Sequence, residues 1–173
     1  MSADPSPPVP CDVEAAERLW ADYAAAYPGN VEACSDHVVV QFGDRLPLVD
    51  ELLNLVIHGP KRATAGLVAD YITEREPLPR VGGHMIICDG AGVPRAVLRT
   101  TELRIGPFSS VDARFAYDEG EGDRTLDSWI AGHRRYFDRV STARGVTWNE
   151  DDEVVFERFQ VVWPAEHSDH GNH

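Results

Sequence analysis

Two rhythms of apolar positions alternate along the chain, and their order sets the expected elements. From Asp12 on, Val13, Ala16, Leu19, Trp20, Tyr23, Ala24 and Tyr27 recur every three or four residues. That is the spacing of one helix face, with Asp12 as its N-cap and Pro28-Gly29 as its stop. A second stripe, Leu48, Leu52, Leu55 and Val56, closes at Gly59-Pro60, a C-cap followed by a breaker. A third, Ala65, Val68, Ala69 and Ile72, predicts a helix that Thr64 caps. Residues 110–118 read as a short helix with Val111 and Phe115 inward. Thr125 caps a longer one carrying Leu126, Trp129, Ile130, His133, Phe137 and Val140 on one side.

The other signal is the strand-forming stretch rich in Val, Ile and Phe, the long one at 95–105 mixing apolar with polar positions. Residues 38–42, 84–88, 95–105 and 154–163 predict strands, with Asp89-Gly90-Ala91-Gly92 turning a β-hairpin between the middle two. Helices thus flank strands that come as hairpins instead of regular βα alternation. The expected class is α+β, with a mainly antiparallel, curved sheet or small barrel. No internal repeat is present. The proline-rich residues 1–11 and the polar residues 165–173 read as disordered tails around a single domain at 12–164.

Composition narrows the partners. The chain has 173 residues, 43% of them hydrophobic, and a net charge of −13 with a pI near 4.8. Such a chain has enough apolar mass for a core and repels polyanions, which argues against tight binding to duplex DNA. A small nucleoside or a short single strand in a local basic pocket remains compatible. No run of eighteen apolar residues and no basic, apolar leader is seen, so neither membrane spanning nor secretion is expected. Cys11, Cys34 and Cys88 are three in number and lack metal-ligand spacing, which reads as reduced thiols in a cytoplasmic protein. Oligomeric state is not legible.

The candidate chemistry gathers around Lys61, the only lysine among sixteen basic residues. An amine can lose its proton when desolvated, which a guanidinium cannot. In the expected geometry Thr64 and the free amides of its helix face the same space, a corner suited to an oxyanion. Further on, Glu119-Gly120-Glu121-Gly122-Asp123 places three carboxylates between glycines, a loop able to hold a divalent cation or to lend one carboxylate to acid/base work. An ordinary solvated acidic turn is the alternative. His133, on an apolar stripe, reads as a core or pocket-rim residue or, less often, a base.

Taken together in this order, Gly59-Pro60-Lys61-Arg62-Ala63-Thr64-Ala65, Pro77-Leu78-Pro79-Arg80-Val81-Gly82, Thr100-Thr101-Glu102, Pro107-Phe108, the segment from Phe115 to Asp123, Trp129, His133 and Glu157-Arg158-Phe159 resemble the longer bacterial ASCH-domain proteins, from about Trp20 to Trp163. The resemblance implies a PUA-like β-barrel of mainly antiparallel strands with flanking helices, and activity on RNA or its building blocks. Some members are amidohydrolases of N4-acetylcytidine that use a lysine, a threonine three residues later and a glutamate from the acidic segment. Those positions fall here on Lys61, Thr64 and Glu119. This hydrolase reading needs no cofactor or metal. Phe42, Asp44, Arg62, Trp129 and His133 are expected to line the cleft, with Arg62 standing where relatives often have threonine. Other members are ascribed metal-assisted cleavage of single-stranded RNA, which would engage Glu119, Glu121 and Asp123 through a divalent cation. A non-catalytic RNA-binding module is the third reading.

Overall fold

The stripe that starts at Asp12 becomes helix α1 (Val13–Ala26), and the Asp12 carboxylate accepts from the Ala15 amide as the N-cap. This is seen in a computed structural model, which describes residues 5–169. The expected stop at Pro28 is instead the first residue of a short helix, α2 (Pro28–Ala33). Proline fits there because a first helical residue has no partner for its N–H anyway. Helix α3 (Leu48–His58) ends at Gly59 as its stripe predicts.

Five strands, β1 (His37–Val40), β2 (Ala63–Leu67), β3 (His84–Cys88), β4 (Pro94–Pro107) and β5 (Glu153–Trp163), hydrogen-bond in the order β1-β3-β4-β5-β2. β1 runs parallel to β3, while the pairs β3–β4 and β2–β5 are antiparallel. The α+β class is as expected, but among the described residues the sheet is open and not closed into a barrel. β1 and β2 stand at its two edges, each paired on one side.

By residue contacts the chain forms two compact units. One comprises the chain up to Gly59, Val81–Thr101 and the chain from Phe159; the other comprises Pro60–Arg80 and Glu102–Arg158. In the first unit, β3 is buried along its whole length, because each of its faces is covered by a different cluster. Ile86 and its partner Val97 face Ala16, Trp20 and Tyr23 of α1; Met85 and Ile87, paired with Leu98 and Ala96, face Leu52, Leu53 and Val56 of α3. That double coverage is why the run 84–88 reads as continuous hydrophobicity. Phe42 belongs to this core too, its ring 5.9 Å from that of Phe159.

Residues 6–12 are tied to the same unit: the Leu46 amide donates to the Ser6 carbonyl, the Val9 amide to Gly90 and the Asp12 amide to Gly92. At the other end, the Val161 and Asp169 backbones are joined by a 2.9 Å hydrogen bond. Positions 1–4 and 170–173 of the expected tails lie outside the described residues.

The second unit corrects the reading of Thr64. Ala63–Leu67 is strand β2, in antiparallel register with β5 from Ala63 opposite Arg158 to Leu67 opposite Val154. Helix α4 (Val68–Glu74) begins only after it, with no side-chain cap. A five-residue ladder pairs more of the backbone here than an isolated turn of helix can, so tertiary pairing overrides the periodicity. The expected stripe fails with it, since Ile72 is 73% exposed. Helices α5 (Ala113–Glu119) and α6 (Leu126–Ala143) start at Asp112 and Thr125, whose side chains accept from the Phe115 and Ser128 amides. Phe108, Phe115, Trp129, Phe137, Val154 and Phe156 form this unit's core. No described helix is long and apolar enough to cross a membrane.

Candidate functional site

Lys61 enters the second unit just before β2 and is 1% exposed. Its ammonium donates to the Ala63 carbonyl at 2.9 Å and to Glu121 Oε1 at 2.7 Å, with Glu119 Oε1 at 3.5 Å. A buried lysine costs several kcal/mol unless its charge is matched, and two carboxylates match it here. Glu119, expected in a loop, is the last residue of α5 and is 2% exposed. Gly120 makes the approach possible. It has φ +70°, and a Cβ placed on it would stand 2.7 Å from the Lys61 amide nitrogen. The Arg62 amide fixes the same junction by donating to the Asp118 carbonyl at 2.9 Å.

Helix α6 supplies the other side of Glu119. Trp129 and His133 are one turn apart, their rings stacked 3.9 Å between centroids at 11°. The Trp129 indole N–H donates to Glu119 Oε2, and His133 Nε2 lies 2.8 Å from Oε1. His133 Nδ1 lies 2.9 Å from the Trp129 carbonyl, which can only accept, so Nδ1 carries hydrogen. The other nitrogen facing an ionised carboxylate then makes the ring an imidazolium.

The electrostatics agree. For Glu119, burial works upward on the pKa, but the charges of His133 and Lys61 and the hydrogen bonds from His133 and Trp129 outweigh it and bring the carboxyl to about 2. Burial pulls His133 and Lys61 down, yet the Glu119 charge and then Glu121 leave both above their ordinary values. The resting cluster is therefore two cations between two carboxylates. Lys61 stands in it as an ammonium and not as the free amine that its desolvation alone would favour.

Around this cluster Arg158 braces α5. Its guanidinium donates to Asp118 at 3.0 Å and to Glu102 at 2.9 Å. Thr64 lies three residues along from Lys61, directly opposite the buried Glu157 in the β2–β5 ladder. Side chains alternate, so this pair occupies the face opposite to the Ala63–Arg158 and Ala65–Phe156 pairs. Arg62, half-buried, donates from Nη1 to the Lys61 carbonyl at 2.7 Å. Asp123 stays out of the cluster, its carboxylate accepting from the Thr125 amide at 2.9 Å and hydroxyl at 2.6 Å. Phe42 and the half-buried Asp44 belong to the first unit.

The structure thus joins Lys61, Glu119, Glu121, Trp129 and His133. One donor atom from each of Glu119, Glu121 and His133 lies within 4.8 Å of the others, a set chemically able to take a divalent cation. The bracing arginine and its carboxylates were not read from the sequence. Their partners come from strands and helices far apart in the chain, and only the i, i+4 spacing of Trp129 and His133 hinted at a shared target.

The ASCH domain family model matches residues 38–163. A crystal structure of an ASCH domain from Lactobacillus crispatus JV V101 is similar at TM-score 0.79 and 26% identity, covering 87% of this chain and 96% of that one. Protein EF3133 from Enterococcus faecalis V583 is similar at TM-score 0.74 and 28% identity, covering 93% and 98%. No curated protein matches the sequence. The family match takes in the Lys61 segment, Glu119 with both its α6 donors, and the β5 partner of Thr64, and on that extent the chain belongs to the ASCH domain family, with its PUA-like fold.

Proposed function

We propose that the protein hydrolyses the amide of N4-acylated cytidine nucleosides, with Lys61, Thr64 and the Glu119–Glu121 pair as its chemical groups. The observation that carries this reading is the buried ammonium of Lys61 between two carboxylates, one fully buried and one with a side chain 31% exposed. A charge matched this closely stays put in the resting state and can lean toward charge that develops on a substrate. As an ammonium, Lys61 stabilises the oxyanion formed when an oxygen attacks the acyl carbon. The proton lost by the attacking hydroxyl of Thr64 goes to a carboxylate, for which Glu121 is the exposed member, and returns to the departing cytosine amine. Water then releases the acyl group from the threonine.

A net charge of −13 favours a small uncharged substrate over a polyanion. The test is release of cytidine from N4-acetylcytidine, followed by absorbance, with and without EDTA and with Lys61→Ala. Chelator-insensitive release that the substitution abolishes is the expected result. Absence of release by the unaltered protein overturns it.

The donor set Glu119, Glu121 and His133 favours a second reading, metal-assisted cleavage of single-stranded RNA. In that reading a cation must displace or share the place of the Lys61 ammonium. Cleavage of a labelled single strand that requires a divalent ion would select it, and salt-dependent RNA binding without turnover of either substrate would select a binding module.

A further inference from the structure

The first unit holds a pair of cysteines that the site chemistry does not use. Cys88 ends β3 and is fully buried; Cys11 sits half-buried on the segment that crosses the β3–β4 turn. Two backbone hydrogen bonds bracket Cys11: Val9 N–H to the Gly90 carbonyl at 2.9 Å and Asp12 N–H to the Gly92 carbonyl at 2.8 Å. Gln41 fastens the same crossing, its side-chain amide donating to the Val9 carbonyl at 2.7 Å and the Asp89 carbonyl at 2.9 Å. The approach is close enough that a Cβ on Gly92 would meet the Pro10 carbonyl oxygen at 2.2 Å. Pinned on both sides, Cys11 is held against the turn that directly follows Cys88, and the neighbouring Cys11 thiol helps to push the Cys88 thiol's pKa up.

We propose that Cys11 and Cys88 form a dithiol/disulfide site that, when oxidised by a low-molecular-weight disulfide, locks the N-terminal segment onto the β3–β4 hairpin. The half-buried Cys11 is the entry point. Its thiolate attacks one sulfur of the small disulfide, expelling one thiolate and leaving a mixed disulfide. Cys88 loses its proton and attacks the Cys11 sulfur, expelling the second thiolate. Two protein thiols are oxidised and one small disulfide is reduced to two thiols. Burial first, then the neighbouring Cys11, pushes the Cys88 thiol up, so Cys88 reacts as the resolving sulfur and not as the first nucleophile. Cys34, also half-buried, lies outside this crossing and is the internal control.

The full-length protein is incubated with oxidised glutathione, and intact mass and peptide maps are recorded for the unaltered protein, Cys11→Ser, Cys88→Ala and Cys34→Ser. The expected result is a monomer lighter by two hydrogens, with Cys11 joined to Cys88, reversed by dithiothreitol, formed in Cys34→Ser and absent in the other two. Because the crosslink closes a long loop, the oxidised form should melt about 5 °C or more above the reduced one. A glutathione adduct that persists on Cys11, a bridge to Cys34, dimers linked through cysteine, or no oxidation would each overturn the proposal. Cys11→Ser changes a half-buried position and provides a folded comparison if Cys88→Ala does not fold.

Discussion

His133 Nε2 stands 2.8 Å from Glu119 Oε1, and because the histidine's other nitrogen is committed to the Trp129 carbonyl, the contact is an imidazolium held against a carboxylate. Each member holds the other's charge. Removing the ring leaves a buried carboxylate with one fewer cation, so His133→Phe should destabilise the protein by about 3 kcal/mol. Glu119 has its folded pKa below the unfolded one, so its contribution is present above about pH 4.5 and is lost as pH falls toward about 2. His133 has its folded pKa raised, so its contribution is full below pH 6.5 and is lost as pH rises through that raised value. Urea unfolding from pH 3 to 10 should show the gap between the unaltered protein and His133→Phe widest near pH 5 to 6 and narrowing on both sides.

His84 works with the opposite sign. Burial lowers its pKa to about 4 against the resisting Asp36 carbonyl, and its neutral ring meets the Tyr23 hydroxyl at 3.0 Å. The unfolded chain therefore takes up a proton that the folded one refuses as pH falls from 6.5 toward 4, and stability declines over that interval. His84→Gln should flatten that part of the unaltered protein's pH profile, measured by the same urea series.

Gly120 can be tested without touching a charged group. Alanine there would be strained at φ +70° and would press on the Lys61 backbone. Gly120→Ala should cost about 2 kcal/mol and separate Glu119 from Lys61. Chemical denaturation measures the first effect. Loss of the depressed Glu119 titration, followed by NMR of a side-chain-labelled sample, measures the second.

Lys61→Ala removes the ammonium from between Glu119 and Glu121 while leaving three donor atoms within 4.8 Å. The variant should bind Mn2+ at least ten-fold more tightly than the unaltered protein, measured by titration calorimetry. Equal affinity in the two would show that the lysine does not compete for the site.

Thr64→Ala changes a half-buried hydroxyl on a paired strand, and stability should shift by less than about 1 kcal/mol. Turnover of N4-acetylcytidine should fall at least a hundred-fold and return largely in Thr64→Ser. Unchanged turnover in the alanine variant would remove Thr64 from the proposed chemistry.

Much of this protein was legible before any coordinates. The caps at Asp12 and Thr125 and the stop at Gly59 are local events, settled by which nearby side chain or backbone group can satisfy an exposed amide or carbonyl. The run 84–88 announces a buried strand because both of its faces lie against apolar cover. The resemblance running from the lysine segment to Glu157-Arg158-Phe159 pointed to the ASCH family, and singled out Lys61 and Glu119. What the sequence left open was decided by partners distant in the chain. Thr64 looked like a helix cap because its local periodicity is helical, but the β5 backbone opposite it completes a ladder that the isolated segment lacks. Glu119 read as a loop residue because glycines follow it, yet it ends α5, and Gly120 is the residue that lets it close on Lys61. His133 showed an apolar stripe and, by resemblance, a place at the cleft, but not its charge. Its charge follows from a carboxylate fourteen residues away along the chain and a carbonyl one helical turn behind it, a pairing that exists only once α5 and α6 have packed.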